Sequence, residues 1–79
     1  MQEHKKRAKI SIEKLKLRLN EIQISKEYIY LFELANQYYN DSIHYFEKED
    51  YFTSFGCSDY AYGILDSVDY IINGKFPKP

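Results

Sequence analysis

The chain has 79 residues, a formal net charge of −1, 18% aromatic residues and one cysteine, Cys57. A chain this short makes one domain with a small core. A lone thiol excludes an intramolecular disulfide and fits a reducing cytoplasm, and no uncharged stretch approaches the ~20 residues of a bilayer span.

Small domains lacking disulfides often gain stability from a second subunit, so a homo-oligomer, most simply a dimer, is expected. The near-neutral total conceals an asymmetry: residues 1–26 carry a net +5 and residues 27–79 a net −6. Charge complementarity between a basic first helix and two acidic ones accounts for this within one bundle. A nucleic-acid surface is the alternative.

The opening Met1-Gln2-Glu3-His4-Lys5-Lys6-Arg7 is charged and leads into no long apolar run, so it does not read as a secretory signal. From about residue 3 to 22, Ala8, Ile12, Leu15, Leu19 and Ile22 recur at spacings of four and three, a helical seam. Leu15, Leu17 and Leu19 also alternate as a strand would, but the pattern slips at Glu13-Lys14, and Lys, Leu, Glu and Arg favour helix. Opposite the seam, Ile10, Leu17 and Ile24 repeat every seven residues. A bundle helix apolar on both sides needs something to cover the second side, which makes these residues a candidate interaction surface. Lys5, Lys6, Arg7, Lys9, Lys14, Lys16 and Arg18 are candidate phosphate contacts. They lack the interleaved aromatics that stack single-stranded bases.

A second helix is expected over about 26–48, with Ser25 as N-cap and Glu27 in its first turn. Tyr28, Phe32, Ala35, Tyr39, Ser42 and Phe46 form its seam, flanked by Leu31, Tyr38 and Tyr45; Glu33, Gln37, Asn40 and His44 share the far side. Residues 47–50 make a short connection, and Asp50 caps a third helix over about 51–73. Tyr51, Phe55, Tyr62, Leu65 and Ile72 lie on one side of it, and Cys57, Ala61, Ile64, Val68 and Ile71 widen that arc. A helix so poor in charge is central to the bundle or covered by another molecule. Gly56, Gly63 and Ser67 line a side without bulk, where helix 1, helix 2 or a second subunit is expected to approach closely. Gly74 followed by Pro77 reads as a stop. The fold class is all-α: a three-helix up-and-down bundle with a long antiparallel hairpin of helices 2 and 3.

The strings Tyr38-Tyr39-Asn40-Asp41, Tyr45-Phe46-Glu47-Lys48-Glu49-Asp50-Tyr51 and Tyr60-Ala61-Tyr62-Gly63-Ile64-Leu65-Asp66 resemble an archaeal family known only as domain of unknown function 357. The resemblance implies a three-helix bundle and supplies no activity and no catalytic residues. Glu49 stands where the family prefers glycine, and a Cβ disfavours the left-handed turn such a glycine would make. The small residues Ser54, Ser58 and Ala61 facing tyrosines also resemble tetratricopeptide-type hairpins, though one hairpin cannot form a solenoid.

Asp41-x-x-His44-x-x-Glu47 is the nearest approach to metal-ligand spacing. Carboxylate-bridged metal bundles need that motif twice on inward faces, so it reads as a solvated face and no metal is assigned. Asp59 and Asp66, seven apart, read as a polar stripe, with Asp66 and Tyr62 the candidate buried polar pair. Cys57 reads as a small buried thiol. With no Gly-rich phosphate loop, zinc pattern or Ser/His/Asp arrangement, no catalytic residue or cofactor is expected. The sequence points to a non-catalytic cytoplasmic interaction module that self-associates through helices 1 and 3, with nucleic-acid binding by the basic face of helix 1 as the alternative.

Overall fold

A computed structural model describes residues 2–23 and 25–74. Ile24, Pro77 and Pro79, on which parts of the sequence reading rest, lie outside the described residues. Three helices run up, down and up: α1 (Gln2–Glu21), α2 (Ile29–Glu47) and α3 (Tyr51–Asn73). The described residues contain no strand, so the alternating leucines of α1 obey the longer helical period. α3 is the central rod, packing along both α2 and α1, while α1 and α2 meet more sparsely. A helix carrying only three charges, all aspartates, can be buried on two sides without stranding charge.

The first turn of the second segment departs from expectation. Lys26–Tyr28 form a 3₁₀ turn, and the Ser25 side chain caps nothing; its carbonyl instead accepts from the Tyr28 amide at 3.1 Å. α2 is therefore 19 residues long, about 28 Å at the helical rise. The α2–α3 connection is a Schellman turn: the Glu49 amide donates to the Phe46 carbonyl at 3.0 Å and the Asp50 amide to the Tyr45 carbonyl at 2.9 Å. Glu49 enters the left-handed region with φ 63°, despite its Cβ. The cost of ~1–2 kcal/mol is offset by satisfied carbonyls and by Asp50, whose carboxylate accepts from the Thr53 amide at 3.2 Å and caps α3. Gly74, φ 65°, closes α3, its amide donating to the Tyr70 carbonyl at 2.8 Å.

The core is narrow. Its shielded apolar side chains are Ala8 and Leu15 of α1, Ala35 of α2, and Ala61, Leu65 and Val68 of α3. Leu19, Ile22, Phe32, Tyr38, Tyr39, Tyr62 and Ile64 pack around the central four, Leu15, Ala35, Ala61 and Leu65. The inward line of α3 is Ser54, Ser58, Ala61, Leu65 and Val68; Ala61, Leu65 and Val68 lie on the expected arc, whereas Phe55 and Ile72, expected on the same side, are exposed and Ser54 and Ser58 turn inward instead. Small residues win the centre because the rods approach closely there. The serines fit because each hydroxyl is satisfied. Ser54 donates to the Ser42 carbonyl at 2.6 Å, Ser42 to the Tyr39 carbonyl at 2.6 Å, and Ser58 to the Phe55 carbonyl at 3.0 Å. The Ser58 hydroxyl also meets the Ser11 hydroxyl of α1, tying α1 to α3.

Candidate interaction surfaces

The basic helix meets the acidic hairpin chiefly through one residue. Arg18, in the last turn of α1, reaches across to α3. Its guanidinium pairs with Asp66 at 3.0 Å and Asp69 at 3.0 Å, donates to the Tyr62 hydroxyl at 3.4 Å, and lies 5.3 Å from the centre of that ring. Asn73 donates to the second oxygen of Asp69. Burial works against the Arg18 charge, but the Tyr62 hydroxyl and the two carboxylates outweigh it and push the pKa above its ordinary value. This side chain, only 19% exposed, is committed to the fold. That corrects its reading as a phosphate contact: complementarity within the bundle claims it. Asp66 and Tyr62, the candidate buried polar pair, are both partly buried, Tyr62 against the core, and both belong to the same cluster.

The other basic residues divide into three groups. The ammonium of Lys5 lies 5.9 Å from the Tyr51 ring centre and that of Lys14 5.2 Å from Tyr62, so folding supplies aromatic neighbours that the linear sequence of α1 lacks. Lys6, Lys9 and Lys16 stand exposed. Arg7 lies 3.5 Å from Glu3 one turn away, an exposed pair of little energetic consequence. An open depression bordered by Glu3, Lys5, Lys6, Arg7, Lys9 and Ile10 is built from one helix alone, and a convex rod encloses nothing.

Apolar surface is displayed on α1 and on the hairpin. On α1, Ile10 is 48% and Leu17 60% exposed, facing away from the hairpin. On the hairpin, Tyr30 and Leu34 of α2 and Phe52, Tyr60 and Ile71 of α3 are exposed. Tyr60 meets Tyr38 edge-on, ring centres 4.8 Å apart, at the α2–α3 seam. Gly56, Gly63 and Ser67 are exposed beside it. A Cβ built at Gly56 or Gly63 would meet nothing within 4 Å. This corrects the expectation that helix 1 or helix 2 of the same chain packs closely there. Ser67 turns its hydroxyl back to the Gly63 carbonyl at 3.0 Å.

Asp41, His44 and Glu47 are all exposed on the outer side of α2, and no group of three or more potential metal ligands converges among the described residues. Cys57 is half-buried; burial first, then the Asp41 and Asp50 charges, push its thiol pKa up, away from the reactive thiolate. No described helix is long and apolar enough to cross a membrane.

Comparison with curated proteins and with solved structures yields no match. The family model for a protein of unknown function (DUF357) matches residues 5–72, nearly the whole folded bundle, and the chain belongs to that family.

Proposed function

We propose that the chain is a non-catalytic helical interaction module that associates with copies of itself through the outer faces of α1 and α3. The observation that carries the reading is the destination of the apolar surface. Among the described residues the core shields six apolar side chains, none of them aromatic, while Ile10, Leu17, Tyr30, Phe52, Tyr60 and Ile71 face water. Scattered exposed apolar residues are ordinary; rows on two helices, one running beside two mid-helix glycines, are the pattern of surfaces that become covered. Each of those glycines costs its helix ~1 kcal/mol against alanine, and no packing within the chain accounts for them.

Sedimentation equilibrium over a wide concentration range tests this. A mass rising above the monomer is expected, and a monomer at every concentration refutes it.

A second reading is nucleic-acid binding by α1, supported by the exposed Lys6, Lys9 and Lys16 and by tyrosines beneath Lys5 and Lys14. Anisotropy of labelled duplex and single-stranded DNA at low salt should then rise with protein and collapse as salt is added. A flat titration removes it.

A further inference from the structure

We propose that copies join head to face, the outer side of α1 in one copy lying on the side of the α2–α3 hairpin turned away from α1 in the next; this rests on the self-association reading above. The two surfaces face away from one another: Ile10 and Leu17 are exposed on the side of α1 away from the hairpin, and Tyr30, Leu34, Tyr60 and Ile71 are exposed on the hairpin. The Tyr38–Tyr60 contact fixes the hairpin side. Leu34 stands one turn before Tyr38, Tyr30 one turn before Leu34, and Ile71 three turns beyond Tyr60, so the exposed Tyr30, Leu34, Tyr60 and Ile71 share the side marked by that contact. Each copy can thus offer α1 and accept another copy's α1 at the same time.

Charge selects this arrangement over face-to-same-face pairing. Neither α2 nor α3 contains a lysine or arginine, and Asp41 and Asp59 are exposed on their outer surfaces. Around Ile10 and Leu17 stand the exposed Lys6, Lys9, Lys14 and Lys16 against Glu13 and Glu21, leaving this side of α1 net positive. Either surface paired with its own copy would oppose like charges; α1 on the hairpin opposes unlike ones. The spacing agrees as well. Ile10 and Leu17 are seven residues apart, about 10.5 Å along the helix, and so are the open notches at Gly56 and Gly63 beside Tyr60. Two apolar knobs match two gaps at the same pitch. Such a contact is heterologous, so it closes into a ring or runs on as a filament.

Two variants test the geometry. Gly63→Leu fills a notch where a side chain has open space within the monomer, and so blocks acceptance without disturbing the fold. Leu17→Glu alters a side chain 60% exposed and blocks donation. Each alone should weaken self-association by roughly tenfold or more, with unchanged helical circular dichroism. Mixed in equal amounts they should form a heterodimer and nothing larger, because one keeps a working α1 and the other a working hairpin. The wild-type mass should also fall with rising salt. A wild type that associates while either variant keeps its full mass, or while the mixture forms no heterodimer, overturns head-to-face docking and leaves the module reading standing. A wild type that never associates removes both.

Discussion

Replacing Arg18 by methionine keeps the apolar stem and deletes the guanidinium that ties α1 to α3. Two ion pairs of 3.0 Å are lost, together with the stacking on Tyr62 at 5.3 Å. Exposed pairs contribute ~0.2–1 kcal/mol each. Here the guanidinium is largely shielded, but Asp69 is 24% and Asp66 37% exposed, so water reaches both carboxylates once the arginine is gone. The 3–5 kcal/mol of a stranded buried charge therefore does not apply. Each pair sits in the upper half of the exposed range, at ~0.7 kcal/mol, and stacking adds ~0.5–1 kcal/mol, which puts the total loss at about 2 kcal/mol. For a domain of this size that lowers Tm by roughly 8–16 °C. Urea unfolding followed by circular dichroism measures the loss. A cycle with Asp69→Asn isolates the pairwise part, expected at about 1 kcal/mol. A loss below about 0.5 kcal/mol, or a coupling near zero, would show that α1 is held by its apolar seam alone and that the charge asymmetry plays no part in the fold.

Glu49→Gly removes the Cβ from a left-handed position and should raise stability by about 0.5–1 kcal/mol, read as a higher Tm; a fall would mean that the turn is not strained. Leu65→Ala truncates one of the two leucines in the central buried cluster and should cost roughly 2–5 kcal/mol, enough to leave a large unfolded fraction in water, visible as lost amide dispersion in an NMR spectrum. Cys57 should react slowly with a thiol-specific disulfide reagent at neutral pH and faster in urea. Because its pKa is higher folded than unfolded, the thiol form favours the native state. Stability from this group is intact below the ordinary thiol range and declines as pH rises through it, a decline that Cys57→Ser should abolish.

The sequence alone determined the three rods, most of their ends and the inner sides of the first two. Ala8, Leu15 and Leu19 repeat with the helix, Asp50 reaches an amide three residues on, and Gly74 takes a conformation that other residues resist. These are local effects, settled within a turn or two. Tertiary structure decided what local spacing leaves open. α3 is apolar around most of its circumference, so periodicity could not say which arc faces inward; the close approach of two neighbours selected Ser54, Ser58 and Ala61 over the larger Phe55 and Ile72. Arg18 looked like one more cation in a basic run until packing brought Tyr62 and Asp69, 44 and 51 residues further along, to its side. Gly56 and Gly63 were visible as small residues, but that their gaps open outward depended on where α1 and α2 lie. A helix fixes the angle between its own side chains and not the direction in which a neighbouring helix will stand, and that direction is set only when all three rods compete for one narrow core.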